Sequence, residues 1–360
     1  MLNQRPPEFR QEPATVSGEA EPLTVPQSGV APLVSVRDLQ VKFATRAGTI
    51  AAVNGVGFDV APGRVLCILG ESGSGKSVTL RAIAGILPRR TTTVEGVIDF
   101  QGTNLVGLPE PAMRDIRGAC VAMIFQEPMT ALDPVFTVGG QIAESIVRHE
   151  GASRDAARKR AQELLEMVQI PSAGRRMKAY PHEMSGGMRQ RAMIALALAC
   201  KPQLLLADEP TTALDVTVQI QIVLLLRELQ RELGMAVVFV THDVGVAAEI
   251  ADELAVMYAG RFVEHGSAVD VIEQPLHPYT SGLLASTVHG AARGTVLQPI
   301  PGMPPDLTRM PPGCAFAPRC RFAEDACRAT VPESFGIGPT GQTVACHRQT
   351  GGLPLGPLSG

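Results

Sequence analysis

Three short stretches in the first two thirds of the chain carry residue types suited to handling phosphate. Residues 70–77 read GESGSGKS, a glycine-rich run closing on a lysine and a hydroxyl. Gly70, Gly73 and Gly75 let the backbone wrap so that its N–H groups turn inward toward phosphate oxygens, with Glu71, Ser72 and Ser74 completing the loop. Lys76 can reach the β and γ phosphates of a nucleotide, and the Ser77 hydroxyl can ligate Mg²⁺. Residues 204–210, LLLADEP, place Asp208 at the end of an apolar run, where its carboxylate can hold the Mg²⁺ shell. Glu209 follows directly and can polarise an attacking water as a general base. Residues 184–191, MSGGMRQR, are a different phosphate reader: Ser185 can cap the helix that follows, while Gly186 and Gly187 let its first N–H groups approach an anion. Each stretch alone has an ordinary structural reading as a turn or cap, but three of them together do not.

These residues need elements to hold them. VLCILG, before the glycine-rich loop, is an almost uninterrupted apolar run of the kind a buried parallel strand requires. QLLLADEP and MAVVFV read as two further buried strands, and the second delivers His242 (in VTHD) to the same sheet edge as Asp208. VSVRDLQVKF and AAVNGVGFDV read as strands closed by turns such as Ala61-Pro62-Gly63. After Ser153, Ala157, Ala161, Leu164, Leu165 and Val168 recur at helical spacing; RAMIALALAC continues as a helix, and another helix ends near Leu233 with Gly234 as its cap. Alternating strands and helices predict an α/β domain with a mainly parallel sheet. Residues 1–31, rich in Pro, Glu, Gln and Ser, read as a disordered tail. From about 265 proline and glycine dominate, which predicts a second, small domain with little regular structure. No internal repeat is visible.

Composition narrows the function. At 360 residues two domains are expected, and 45% hydrophobic content supports a sizeable core. A formal net charge of −3 argues against a nucleic-acid binder acting through bulk charge. No apolar run approaches the roughly 18 residues of a membrane span, and MLNQRPPEFRQEP lacks the apolar core of a signal peptide. A soluble cytosolic protein is expected, with any membrane role borrowed from partners. Seven cysteines in such a chain argue against a disulfide framework. Cys67, Cys120 and Cys200 lie singly in apolar runs and read as buried small hydrophobes. Cys314, Cys320, Cys327 and Cys346 instead gather in the proline- and glycine-rich part. There a metal staple would compensate for a meagre core. Thiolates suit Zn²⁺ or an iron–sulfur cluster, and the spacing matches neither a zinc C-x₂-C pair nor a ferredoxin pattern, so the metal stays open, as does a set of unligated thiols.

The three phosphate-directed stretches, in this order, resemble the nucleotide-binding subunit of ATP-binding cassette (ABC) transporters over roughly residues 33–265. Gly70 to Ser77 look like the Walker A loop, Asp208 and Glu209 like Walker B and its catalytic glutamate. Ser185, Gly186 and Gly187 look like the signature motif, with Met184 where leucine is usual. The resemblance implies that Gln126, in IFQEP, touches Mg²⁺ and water and senses membrane subunits. It likewise implies that Asp215, in TTALDV, crosses a dimer interface and that His242 contacts the γ-phosphate. Phe43 falls where an aromatic residue stacks on adenine, and equally well reads as a core aromatic. The implied fold is an ABC-type P-loop NTPase domain over 32–265, a RecA-like core with a helical subdomain at about 127–190. A small irregular extension at 266–350 and a flexible tail at 351–360 would follow. Two such domains would close head to tail around two ATP molecules.

HPYTSGLLAS at 277–286 and IPGMPPDLTRMPPGCAFAPRC at 300–320 resemble the C-terminal extension of bacterial dipeptide and oligopeptide import ATPases, an extension shared with importers of nickel and other small solutes. That resemblance implies an ATPase at the cytoplasmic face of the membrane. Its partners would be a second, different ATP-binding subunit, two permeases and an extracytoplasmic peptide-binding protein, with no nucleic acid. It also implies a [4Fe–4S] cluster on the four cysteines, with Zn²⁺ as the alternative and His347 as a bystander. A non-transport cassette of the phosphonate-breakdown type is the competing expectation, but it has no need of residues 265–350.

Overall fold

The computed structural model describes residues 31–46, 48–212, 214–287, 299–338 and 341–351. Most of the expected N-terminal tail and the stretch after 351 lie outside the described residues. The strands are β1 (Val34–Thr45), β2 (Gly48–Val60), β3 (Val65–Leu69), β4 (Thr92–Phe100), β5 (Thr103–Asn104) and β6 (Val121–Ile124). They continue as β7 (Leu204–Asp208), β8 (Ala236–Thr241), β9 (Glu253–Tyr258), β10 (Arg261–Ser267), β11 (Phe335–Ile337) and β12 (Gln342–Val344).

The larger sheet runs β11-β12-β10-β9-β3-β8-β7-β6. Its five strands from β9 to β6 are parallel, as the apolar runs predict. β3, β7 and β8 are buried at every position, because both faces of the sheet are covered. Alternation sorts their side chains: Val65, Cys67 and Leu69 join one core, while Leu66 and Ile68 join the other. The first core is closed by the helices Val138–Glu150, Arg154–Met167, Gly186–Ala197 and Val216–Leu233. The second is closed by the helix Lys76–Ile83 and by a separate antiparallel sheet, ordered β2-β1-β4-β5. The helix ends follow capping chemistry. Ser153 accepts from the Ala156 N–H at 3.3 Å, and Gly234 terminates its helix at φ 63°.

Two features depart from the sequence reading. The antiparallel sheet is a layer of its own, and β4 had no strand expectation because TTTVEGVIDF carries an interior glycine. The region after 265 is tied into the large sheet: β12 pairs with β10 and β11 with β12, and Phe316 enters the first core. Buried Glu264 of β10 binds this region together, accepting from the N–H groups of Leu276 (2.7 Å) and His277 (2.9 Å) and from Gln342 Nε2 (2.8 Å). Among the three scattered cysteines only Cys67 is fully buried; Cys120 and Cys200 are half-buried, since they sit at the ends of their elements.

Candidate active site

β3, β8, β7 and β6 are consecutive neighbours in the sheet, and each delivers chemistry-bearing residues just beyond its carboxyl end. The register makes these ends level: Leu69 pairs with Thr241, Asp208 with Val240, and Ile124 with Ala207. The glycine-rich loop, His242, the Asp208–Glu209 pair and Gln126 therefore meet along one edge, where ligands of open α/β sheets bind.

The loop from Gly70 to Gly75 turns β3 into the helix that begins at Lys76. Gly75 is obligatory: its φ is 107°, and a Cβ there would collide with the Ala52 carbonyl. Lys76 is 3% exposed, and its Nζ donates to the carbonyls of Gly70 (2.7 Å) and Glu71 (2.9 Å). Burial pulls its pKa down, opposed by Glu209, Asp208 and Glu71. Ser74 Oγ is buried with no hydrogen-bond partner, while Ser72 and Gly73 are exposed at the loop tip.

Ser77 Oγ donates to Asp208 Oδ1 at 2.6 Å. Asp208 is 0% exposed, its Oδ2 accepts no hydrogen bond, and Arg81 approaches that oxygen only to 3.6 Å. Burial raises its pKa, as expected for a carboxylate with one unsatisfied oxygen. An orphaned, buried carboxylate oxygen beside a hydroxyl fits a hard divalent cation such as Mg²⁺.

Glu209 is the hub. Its Oε2 accepts from Thr212 Oγ1 (2.9 Å) and Gln126 Nε2 (3.3 Å) and faces His242 Nδ1 at 3.2 Å; its Oε1 lies 3.9 Å from Lys76 Nζ. Its backbone sits at φ 44°, a left-handed conformation unusual for glutamate that aims the carboxylate back across the strand ends. The hydrogen bond from His242 holds the Glu209 pKa down, and the same bond raises that of His242. His242 is thus expected to titrate above the ordinary imidazole value of about 6.5. Its midpoint should fall in Glu209→Gln, where burial is left as the main influence; an unchanged midpoint by NMR titration would break the pairing.

The other candidates lie apart. Ser185 caps its helix by accepting from the Met188 N–H at 3.3 Å, and Met184 is buried, as an apolar residue in the leucine position should be. Gly187 has a packing reason inside the chain, since a Cβ there would press on Val218 at 2.9 Å. Ser185 to Gly187 make no hydrogen bond to their own glycine-rich loop among the described residues. Asp215 stands exposed at the start of the helix Val216–Leu233 and makes no side-chain cap bond. Phe43 is half-buried and packs against the second core, which accommodates its core reading. Thr212 was missed, although its hydroxyl three residues after Glu209 is a legible signal; Arg81, one helical turn after Ser77, was missed too.

Cys314, Cys320, Cys327 and Cys346 line one small cavity with His277, Phe316 and Phe322. Backbone N–H groups of Phe316 and Ala317 near Cys314, of Phe322 near Cys320, and of Arg348 and Gln349 near Cys346 partly oppose the effect of burial on these three thiols. Burial raises these thiols, Cys320 to about 11. Among the described residues, no three Cys, His, Asp or Glu side chains converge tightly enough to hold a metal ion as they stand. His347 donates to or accepts from Thr330 instead.

A glycine-rich loop, a strand-end Asp-Glu pair and a histidine meeting on one parallel-sheet edge define a P-loop ATPase. The pattern described as "ABC transporter" matches residues 53–212, and "Oligopeptide/dipeptide transporter, C-terminal region" matches 263–327. The chain is 49% identical over 329 residues to the dipeptide transport ATP-binding protein DppD of Bacillus subtilis, covering 91% of this chain and 98% of that one. It is 48% identical over 331 residues to the oligopeptide transport ATP-binding protein OppD of Escherichia coli, covering 91% and 97%. Its fold is similar to the dimeric ATP-binding cassette MJ0796, captured after hydrolysis with ADP and phosphate (TM-score 0.59, 30% identity, 65% of this chain and 98% of that one). The chain belongs to the ABC transporter ATPase family. Among the described residues, no helix is long and apolar enough to cross a membrane.

Proposed function

We propose that this chain hydrolyses ATP at its own P-loop to power import of di- or oligopeptides through two separate permease subunits at the cytoplasmic face of the membrane. The cassette spans 32–265, its helical subdomain about 127–190, and the C-terminal extension 266–350. One observation carries the peptide reading: likeness to dipeptide and oligopeptide ATP-binding proteins extends through the cassette and the C-terminal region together.

The chemistry follows from the site. Loop N–H groups and Lys76 hold the β and γ phosphates. Ser77, Asp208 and Gln126 would hold Mg²⁺, which neutralises charge developing on the phosphates. Glu209 takes the proton of the attacking water, and His242 holds Glu209 and donates toward the γ-phosphate. Ser185 is exposed at a helix N-terminus, so Ser185 to Gly187 complete the site of a second cassette, and Asp215 crosses that interface. That second cassette is a different ATP-binding chain, and an extracytoplasmic peptide-binding protein delivers the cargo. Deleting the gene should abolish uptake of labelled di- or oligopeptides and spare nickel uptake. The opposite pattern would assign the chain to nickel import, and loss of neither would refute an import role.

Cys314, Cys320, Cys327 and Cys346 would hold a [4Fe–4S] cluster, with Zn²⁺ as the alternative, and the bound metal would fasten the extension. Anaerobically purified protein should contain iron and sulfide in equal amounts and lose both in Cys327→Ser. One zinc per chain without sulfide would replace the cluster by a zinc ion.

A further inference from the structure

Glu71 has no evident use in phosphate binding. A carboxylate in the second position of a loop built to attract a triphosphate is an electrostatic liability. Its partner comes from 248 residues away: Arg319 NH1 donates to Glu71 Oε2 at 2.6 Å and NH2 to Oε1 at 3.0 Å, a bidentate pair. The Arg319 side chain is 4% exposed. Its Nε donates to the Pro301 carbonyl at 2.9 Å, NH1 also reaches the Tyr258 hydroxyl at 3.3 Å, and the guanidinium lies 5.8 and 5.9 Å from the ring centroids of Tyr258 and Phe316. Such a fully engaged planar fork is fixed in place. The backbone of the same loop residue is held too, since the Glu71 N–H donates to the Tyr279 hydroxyl at 2.9 Å and its carbonyl accepts from Lys76 Nζ at 2.9 Å. Tyr279 is completely buried.

We propose that Arg319 and Tyr279 are positioning residues of the ATP site: the C-terminal region clamps the P-loop through Glu71, cancels its charge and thereby sets the affinity for the nucleotide. The clamp rests on the loop from Gly70 to Ser77 being the nucleotide site. It gives the C-terminal region a task inside the cassette. Arg319 closes the short helical turn Ala317–Arg319 and is followed directly by Cys320, so whatever reshapes the thiol cavity acts on the same guanidinium.

The test is a titration of the full-length chain with MgATP, supported by steady-state hydrolysis. Arg319→Met should weaken MgATP binding roughly tenfold, the scale of one charge-assisted hydrogen-bonded pair. It should raise KM in proportion while kcat stays within about twofold. Adding Glu71→Gln to Arg319→Met should restore most of the affinity, because the stranded carboxylate is gone; a purely structural arginine would not be rescued in this way. Arg319→Lys keeps the charge and the stem but loses the fork, and should lie between wild type and Arg319→Met; it serves as the probe if the methionine variant does not fold. Tyr279→Phe should raise KM by a smaller factor. Unchanged affinity in Arg319→Met or Arg319→Lys, or no recovery in the Glu71→Gln double variant, overturns the clamp. Lys76→Ala in the same titration separates the two layers: loss of binding there with none at Arg319 overturns the clamp alone, while binding that survives Lys76→Ala overturns the site and the clamp with it.

Discussion

Glu209→Gln is expected to bind MgATP at least as well as wild type while turnover falls by about 10²- to 10⁴-fold, the usual contribution of a positioned general base. Shape is conserved by the substitution. The amide can still accept from Thr212 Oγ1, now at 2.9 Å, and can remain beside Gln126. What is lost is the capacity to take a proton from water at the place the φ 44° backbone presents it. Removing a carboxylate near the γ-phosphate also removes repulsion, so bound ATP and the closed two-cassette state should accumulate. Bound nucleotide after gel filtration and phosphate release measured on the same sample report both effects. Turnover near the wild-type rate would remove Glu209 from the role of base.

Lys76→Ala should act on the other quantity, weakening MgATP affinity by roughly a hundredfold, comparable to losing strong charge-assisted contacts. The lysine is the only cation within 4 Å of the carboxylate pair other than Arg81 and His242 among the described ion pairs, at 3.9 Å from Glu209. Without it Asp208 and Glu209 confront the triphosphate with only Arg81 and His242 beside them, and the carbonyls of Gly70 and Glu71 lose the donor that shapes the loop. A thermal shift gives an independent check: MgATP should raise the melting temperature of the wild type and leave that of Lys76→Ala nearly unmoved, since only a bound ligand stabilises the folded state. Equal shifts in both proteins would place the nucleotide elsewhere.

The parts of this site that are legible in the sequence are those written in one short stretch. An apolar run followed by GESGSGKS, or one ending in Asp-Glu, specifies strand, turn and chemistry together. His242 is legible because its strand, MAVVFV, is apolar from end to end. Contacts made at long range leave no such mark. Nothing in GESGSGKS announces that Glu71 faces Arg319, and HPYTS gives no sign that the Tyr279 hydroxyl caps a loop N–H more than two hundred residues earlier. The extension reads as a separate body because proline and glycine hide its two three-residue strands, of which β12 pairs with β10 and β11 with β12 only once the chain has folded. Gly187 illustrates a residue whose type is legible and whose reason is not, for its nearest constraint is Val218 on the neighbouring helix.

A structure of the Glu209→Gln chain bound to MgATP in the presence of its partner cassette tests this arrangement most directly. The β and γ phosphates are expected inside the loop from Gly70 to Ser77, with Lys76 on the γ-phosphate and the cation between Ser77 and Asp208. His242 should lie within hydrogen-bond reach of the γ-phosphate, and Ser185 to Gly187 should face the partner's nucleotide. A γ-phosphate remote from residue 209 and His242, or a closed pair in which Ser185 to Gly187 face solvent, would contradict it.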